Sequence, residues 1–123
     1  MNHSPGYIIG IDLGGTNIKA AILDESLSVL SERSEPTYAS KGPDYVITAI
    51  KNVIRELMQL HQISGEQVLC MGLGIPGLLN PKEGLSIFSP NFPGWENINV
   101  VQEMRKDFSF PVYIDNDVRV NLY

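Results

Sequence analysis

Residues 10–17, Gly-Ile-Asp-Leu-Gly-Gly-Thr-Asn, place two adjacent glycines between two apolar runs, and this arrangement most constrains the fold. Residues 7–9 precede it and residues 18–23 follow it, so the pattern predicts a strand, a tight turn and a second strand. Adjacent glycines permit φ > 0 and let another group approach the backbone. Two interpretations stay open: an ordinary hairpin with a Gly-Gly turn, or a tip whose N–H groups, hydroxyl and carboxylate hold a phosphate and its Mg²⁺.

The segment differs from the two common glycine-rich phosphate signatures. A P-loop needs Gly-Lys-Ser/Thr leading into a helix, and a dinucleotide fingerprint also has a helix after its glycines. Here Thr16 and Asn17 lead into a β-rich run instead.

The composition of the chain limits the classes of function that it can have. A chain of 123 residues suits one domain with a core of its own. A net charge of −5 and the lack of a Lys/Arg cluster argue against a nucleic-acid surface. No apolar run approaches a membrane span and no secretory signal is visible, so we expect a cytoplasmic protein with no membrane partner. The single Cys70 lies in an apolar run, which predicts a small core residue in a reducing compartment.

The rest of the chain predicts an α/β fold. Residues 27–33 alternate in polarity, so the first three strands should form an antiparallel meander. Residues 80–99 are rich in Pro, Gly and Asn and predict a long loop with a short strand at 87–88. The other predicted elements are a helix from Pro43 that ends near residues 61–65, a strand at 68–75 buried on both faces, a helix at 100–108, a strand at 112–114, and a helix from Val118 capped by Asp117.

Three segments, taken in order, resemble the ROK family of bacterial sugar kinases and sugar-responsive repressors. They are the loop at 10–17, Gly-Ile-Pro-Gly at 74–77, and Ser-Pro-Asn-Phe-Pro-Gly-Trp at 89–95 with Ile-Asp-Asn-Asp at 114–117. The resemblance implies an actin-like, ribonuclease-H-like ATPase lobe. Its mixed five-stranded sheet, with three antiparallel and two parallel strands, would be flanked by helices.

The resemblance covers residues 7–123 and implies that residues 1–123 are the smaller, N-terminal lobe of a two-lobe kinase. The larger C-terminal lobe, with most of the nucleotide site and a His- and Cys-rich zinc motif, is expected outside this chain. A structural Zn²⁺ is therefore expected in that lobe and none here. We expect the isolated lobe to be inactive and the full-length protein to be a homodimer.

The resemblance assigns the first loop to ATP and Mg²⁺. Asp12 is similar to the carboxylate on the metal side, which reaches Mg²⁺ through water. Gly14, Gly15 and Thr16 would hold phosphate oxygens through backbone N–H groups and a hydroxyl. Asn17 stands where the family often has Lys or Asn.

The later motifs are assigned to the sugar and to catalysis. Asp117 matches the family's catalytic base and also its substrate-binding carboxylate, although by itself it reads better as a helix cap. Asn116 matches a ligand of a sugar hydroxyl, with a turn asparagine as the alternative. Pro76 and Gly77 would place backbone beside the sugar, with a plain strand-ending turn as the alternative.

Further residues of these motifs carry weaker assignments. Ser89 and Asn91 are candidate sugar contacts. Trp95 is expected to anchor the long loop as a half-buried aromatic rather than to stack on a sugar face. Asp115 stands where many members have Glu. Arg119 departs from the Asn that commonly follows two residues after the base, so the choice of hexose stays open.

The resulting hypothesis is ATP-dependent phosphorylation of a hexose hydroxyl, as in a glucokinase. The alternative is the sugar-sensing domain of a ROK-type repressor. Such repressors usually carry an N-terminal winged helix, whereas six residues precede the first strand of this sequence, and the retained Asp117 also favours the expectation of a kinase. A third interpretation is a free-standing interaction domain that associates through its exposed inter-lobe face.

Overall fold

A computed structural model of the chain describes residues 6–116, which form two β-sheets and two α-helices. Short 3₁₀ turns at Ala39–Lys41 and Gly65–Gln67 precede α1 and β4. The elements are β1 Tyr7–Leu13, β2 Asn17–Asp24, β3 Val29–Pro36, α1 Pro43–Leu60, β4 Val68–Gly74, β5 Leu78–Asn80, β6 Leu85–Phe88, β7 Glu96–Asn99, α2 Val100–Arg105 and β8 Val112–Asp115. The helix predicted from Val118 lies outside the described residues.

The main sheet has the strand order β3-β2-β1-β4-β8. The first three strands pair antiparallel as a meander, whereas β4 pairs parallel with β1 and with β8. This confirms the predicted mixed five-stranded sheet. The parallel pairs require crossover connections, and these contain α1 and α2.

Helix α1 forms because its apolar residues recur at helical spacing and Pro43 occupies its first turn. Its inward face packs with β-strand residues such as Ile9 and Ile11 in one core cluster. Each fully buried side chain of this kind stabilises the fold by about 1.5–3 kcal/mol relative to exposure. The buried residues of the helix are Val46, Ile47, Ile50, Val53, Ile54 and Leu57.

The second face of the main sheet differs from the prediction. On β4, Met71 and Leu73 are fully buried in the core, whereas Cys70 on the opposite face is only partly buried. Leu69, which is 51% exposed, lies at the bulge where the pairing with β1 shifts. The predictions that this strand is buried on both faces and that Cys70 is a core residue were therefore wrong. The physical reason is that α1 and α2, the helices among the described residues, share a single core cluster on one face.

The turn between β2 and β3 is longer than predicted. The Asp24 carboxylate accepts hydrogen bonds from the N–H groups of Ser26 and Ser28, and Leu27 adopts φ +66°. This side-chain turn competes with strand pairing, so β3 begins at Val29 instead of Leu27.

The predicted long loop contains a small antiparallel sheet of order β5-β6-β7. The predicted strand at Ile87 and Phe88 is confirmed as part of β6. Trp95 is 1% exposed, and its indole N–H donates to the buried Ser86 hydroxyl at 2.7 Å. Trp95 therefore anchors this segment as predicted, but it is fully buried instead of half-buried, and this leaves no ring face for a sugar.

Helix α2 ends at Arg105, three residues before its predicted end. Among residues 6–116, neither helix combines the length and apolar character that a membrane-spanning segment requires.

An ion cluster fastens α1 to the turn that follows α2. The Asp107 carboxylate accepts a hydrogen bond from Lys51 Nζ at 3.0 Å and pairs with the Arg55 guanidinium. Arg55 also lies over the Phe108 ring, 5.5 Å from its centroid. The hydrogen bond from Lys51 is the main cause that holds the pKa of Asp107 below its usual 3.8, and Arg55 adds to it.

This cluster predicts a pH-dependent stability. Because the pKa of Asp107 is lower in the folded than in the unfolded chain, its contribution is present above the unfolded value and is lost on acidification through the folded value. We expect Asp107→Asn to lower the thermal unfolding midpoint at pH 7, and the difference from wild type to shrink below about pH 4. Glu32→Gln, at an exposed carboxylate in β3, is the control. A difference that does not depend on pH would contradict this account.

Candidate functional site

The carboxyl ends of β1, β4 and β8 meet at one edge of the main sheet because these strands run parallel. The three segments that follow them are the hairpin tip at 14–16, the turn at 75–77 and Asn116. In open α/β sheets, ligands bind outside the carboxyl ends of the strands. The motifs that lie far apart in the sequence are thus brought to one edge.

Two carboxylates face outward at this edge, on either side of a glycine. Asp12 is in register with Gly74, and Gly74 is in register with Asp115. Both aspartates are exposed and lie on the face opposite the core. Two strand spacings separate their backbones by about 10 Å. Gly74, which separates them in the row, is buried and carries no side chain.

The tip between β1 and β2 is an unusual hairpin. Its flanking residues form only one of the two expected hydrogen bonds, from the Gly14 N–H to the Asn17 carbonyl at 2.9 Å. Thr37 supplies the other contacts, since its hydroxyl donates to the Gly14 carbonyl at 2.7 Å and its N–H to the Thr16 carbonyl at 2.9 Å.

The two glycines of the tip do not serve the turn in the expected way. Neither Gly14 nor Gly15 has a positive φ, so the interpretation as a Gly-Gly turn of positive φ is wrong. A Cβ at Gly15 would meet no atom within 4 Å, and Gly15 is exposed. The fold of the described residues therefore does not require glycine at position 15. Room for an approaching group is the remaining physical reason for it.

The tip keeps donors available. Within residues 6–116, the N–H groups of Gly15, Thr16 and Asn17 donate to no protein acceptor. All three residues are exposed. Successive free N–H groups at a loop tip form a concavity that suits an anion. The N–H of Gly14, which was predicted to hold phosphate, is instead used inside the hairpin.

Gly77 has a structural role that is evident in its backbone. Its φ is +105°, and a Cβ there would lie 2.1 Å from the Phe88 carbonyl oxygen. The turn after β4 therefore packs backbone to backbone against the end of β6, an approach that only glycine permits.

Asn116 connects β8 to the same turn. Its amide Nδ2 donates to the Ile75 carbonyl at 3.2 Å and to the Gly77 carbonyl at 2.6 Å. Its own N–H donates to the Asp115 carboxylate at 2.7 Å. The side chain is held in one orientation, and its Oδ1 accepts no hydrogen bond within residues 6–116.

Ser89 and Asn91 are placed differently from each other. Ser89 is 1% exposed, and its hydroxyl donates to the Pro76 carbonyl at 2.5 Å. Ser89 therefore supports the turn from its buried side. Asn91 is exposed and has φ +65°, in the left-handed region that asparagine tolerates well. Asn91 is thus the accessible member of the pair.

Two functional candidates were missed by the sequence reasoning. Thr37 holds both sides of the hairpin tip, and its Pro-Thr-Tyr surroundings match no phosphate signature. Lys19 is the cross-strand partner of Asp12 and is exposed on the same face. The two glycines alone gave no reliable signal for Lys19, because a turn at Gly14 and Gly15 would pair Asp12 with Asn17, whereas the observed turn at Gly15 and Thr16 pairs it with Lys19.

Some of the predicted site is outside the described part. Asp117 lies beyond residue 116, so its predicted role as base stays a prediction. Within residues 6–116, no group of three or more His, Cys, Asp or Glu side chains could hold a metal ion. An exposed carboxylate such as Asp12 can bind Mg²⁺ with water in the remaining positions.

Comparisons with known proteins agree with this architecture. The pattern described as the ROK family matches residues 8–123. The glucokinase of Thermotoga maritima is 33% identical over 110 residues, which cover 89% of this chain and 33% of that protein. The xylose repressor of Caldicellulosiruptor bescii is 26% identical over 117 residues, which cover 95% and 29% of the two chains.

A solved structure shows the same fold. The ROK family glucokinase from Streptomyces griseus, in complex with glucose and AMPPNP, has a TM-score of 0.77 and 25% identity to this chain. The match covers 90% of this chain and 33% of the glucokinase. The chain belongs to the ROK family, and its fold is that of the actin-like ATPase lobe found there. It spans about a third of the length of the relatives it matches.

The different surroundings of Gly77 and Gly15 lead to a prediction about the stability of the fold. We expect Gly77→Ala to lower the free energy of unfolding by more than about 2 kcal/mol, because it adds left-handed strain and a clash with backbone. Gly15→Ala is the matched control and should change it by less than about 0.5 kcal/mol. Urea unfolding of the chain, followed by the emission of Trp95, measures both. Equal effects of the two substitutions would show that the turn accommodates a Cβ.

Proposed function

We propose that this chain is the N-terminal lobe of a ROK sugar kinase, which transfers the γ-phosphoryl group of ATP to a hexose hydroxyl. The observation that carries the proposal is the meeting of the open hairpin tip, Asp12 and the Asn116-braced turn at one sheet edge. The glucokinase relatives support it.

The residues of the hairpin tip fit a nucleotide phosphate. The free N–H groups of Gly15, Thr16 and Asn17 would hold phosphate oxygens, and the Thr16 hydroxyl would add a donor. Asp12 would hold Mg²⁺ through water, as suits a lone exposed carboxylate. ATP, when bound, supplies the phosphoryl group, and the glucokinase from Streptomyces griseus binds the ATP analogue AMPPNP.

The residues of the second and third segments fit a sugar. Asn116 offers its Oδ1 as an acceptor while its Nδ2 is held by the turn, so it can orient one hydroxyl. The exposed Pro76-Gly77 backbone and Asn91 would add contacts. We assign Ser89 to the support of this turn, since its hydroxyl is buried against the Pro76 carbonyl.

Asp117, the next residue after Asn116, is proposed as the general base. It would accept the proton of the attacking hydroxyl, while Asn116 and the turn fix the position of that hydroxyl. Phosphoryl transfer depends chiefly on such positioning and on charge neutralisation. We also propose that the full-length protein is a homodimer and that it is cytoplasmic, the location expected from its single cysteine.

A second function has a specific observation in its favour. The xylose repressor of Caldicellulosiruptor bescii matches nearly the whole of this chain. In a repressor, the same turn and Asn116 would bind a sugar without a need for phosphoryl transfer. The carboxylate at position 117 favours the kinase, because sensing alone requires no base.

The kinase proposal is tested at Asp117 in the full-length protein that carries this segment. Asp117→Asn should reduce kcat by about 10²–10⁴-fold, because the amide cannot accept the proton. A coupled assay with glucose, mannose, fructose, N-acetylmannosamine and allose measures this and also identifies the acceptor. Glu66→Gln, an equal change of charge in the 3₁₀ turn before β4, should leave turnover unaltered. Near-normal turnover of Asp117→Asn would remove Asp117 from its role.

The 123-residue chain alone should have negligible kinase activity, since most of the nucleotide site is proposed to lie in the second lobe. The same coupled assay on the purified chain checks this. Robust ATP-dependent phosphorylation of any of the five sugars would overturn the division of the site between two lobes.

A further inference from the structure

Thr37 lies directly after β3 and is fully buried, although it is a polar residue next to an exposed hairpin tip. Its two hydrogen bonds go to the carbonyls of Gly14 and Thr16, on either side of Gly15. One buried residue thus holds both halves of the tip.

The contact with Gly14 changes the hydrogen bonding of the hairpin. In a two-residue hairpin the flanking residues, here Gly14 and Asn17, normally exchange both of their N–H···O bonds. Only the bond from the Gly14 N–H is formed, and the Gly14 carbonyl is oriented toward the Thr37 hydroxyl, from which it accepts. The Asn17 N–H consequently loses its usual acceptor.

The hydrogen bond between Thr37 and Gly14 also orients a second donor, the Gly15 N–H. A peptide unit is planar and trans, so the C=O of one residue and the N–H of the next point in opposite directions. When the Gly14 carbonyl turns to Thr37, the Gly15 N–H must point away from Thr37. The bond from the Thr37 N–H fixes the Thr16 carbonyl and sends the Asn17 N–H away from β3 in the same manner.

We propose that Thr37 is a positioning residue that holds the hairpin tip open, so that the N–H groups of Gly15 and Asn17 remain free for the nucleotide phosphates. This inference rests on the proposed kinase function for the identity of the anion. The opening of the hairpin itself is a property of the chain and can be measured separately.

The test compares Thr37→Val with Thr37→Ser in the full-length protein. Valine has nearly the shape of threonine but no hydroxyl, so the Gly14 carbonyl should return to the Asn17 N–H. We expect kcat/KM for ATP to fall about tenfold, the loss of one hydrogen bond to a charged group, with KM for the sugar unchanged. Serine keeps the hydroxyl and should restore wild-type values.

A second readout reports on the hairpin without activity. Amide hydrogen exchange at Asn17, followed by NMR with selective labelling, should slow about tenfold in Thr37→Val, while exchange at Gly15 should not slow. Thr37→Ala also removes the hydroxyl but is smaller, and it replaces the valine variant if that protein does not fold. A general loss of structure would instead speed exchange at both positions.

The outcomes separate the two proposals. Slower exchange at Asn17 together with weaker use of ATP supports the role of Thr37. Unchanged exchange at Asn17, or slower exchange with unchanged kcat/KM for ATP, overturns it. If the wild-type protein phosphorylates no sugar, the kinase proposal fails, and the Asn17 exchange then decides whether Thr37 opens the hairpin.

Discussion

The parallel pairing of β4 between β1 and β8 is the constraint on which the rest of the site depends. It sets Asp12, Gly74 and Asp115 in one row and makes three strands end at the same edge. A slip of one residue in either pairing would turn an outward carboxylate into the core. The burial of Ile11, Leu73 and Ile114 on the opposite face opposes such a slip, so the hydrophobic core holds the polar site in register.

The glycines at this edge act through two different physical effects. Gly77 is required by the protein itself, because its backbone angle and its contact with Phe88 exclude any side chain. Gly15 is not required by the described fold, and its lack of a side chain leaves space outside the chain. The sequence does not distinguish these two glycines. The atoms around the missing Cβ do, because they are close at Gly77 and absent within 4 Å at Gly15.

The parts that could be predicted from the sequence are those with a long, regular pattern. The meander of β1, β2 and β3 and the 18 residues of α1 show clear periodicity, and the order of the motifs identified the family. The small sheet was largely missed because β5, β6 and β7 have only three or four residues each in a segment rich in Pro, Gly and Asn. The burial of Trp95 against Ser86, which anchors this segment, is a tertiary effect.

In the candidate site, too, residues in local motifs could be predicted from the sequence, whereas tertiary contacts could not. Asp12, Gly77 and Asn116 could be proposed as candidates from the sequence because their motifs are local. The hydrogen bond from Asn116 to Gly77 joins residues 39 apart and exists only because β4 and β8 pair in parallel. Thr37 has no local signature, and its contact with Gly14 depends on the register of β2 and β3. The incomplete burial of the second face of β4 could not be foreseen either, since an apolar run does not show how many faces are covered.

The backbone contact between Gly77 and Phe88 has a mechanical consequence. The turn after β4 cannot shift without displacing the end of β6, and β6 carries Ser86, which holds the indole of Trp95. A displacement of the turn is therefore expected to reach this ring through β6. Trp95 is the single tryptophan of the chain. Its fluorescence emission should therefore report displacement of the turn at 75–77, although that turn lies well away from it in the sequence.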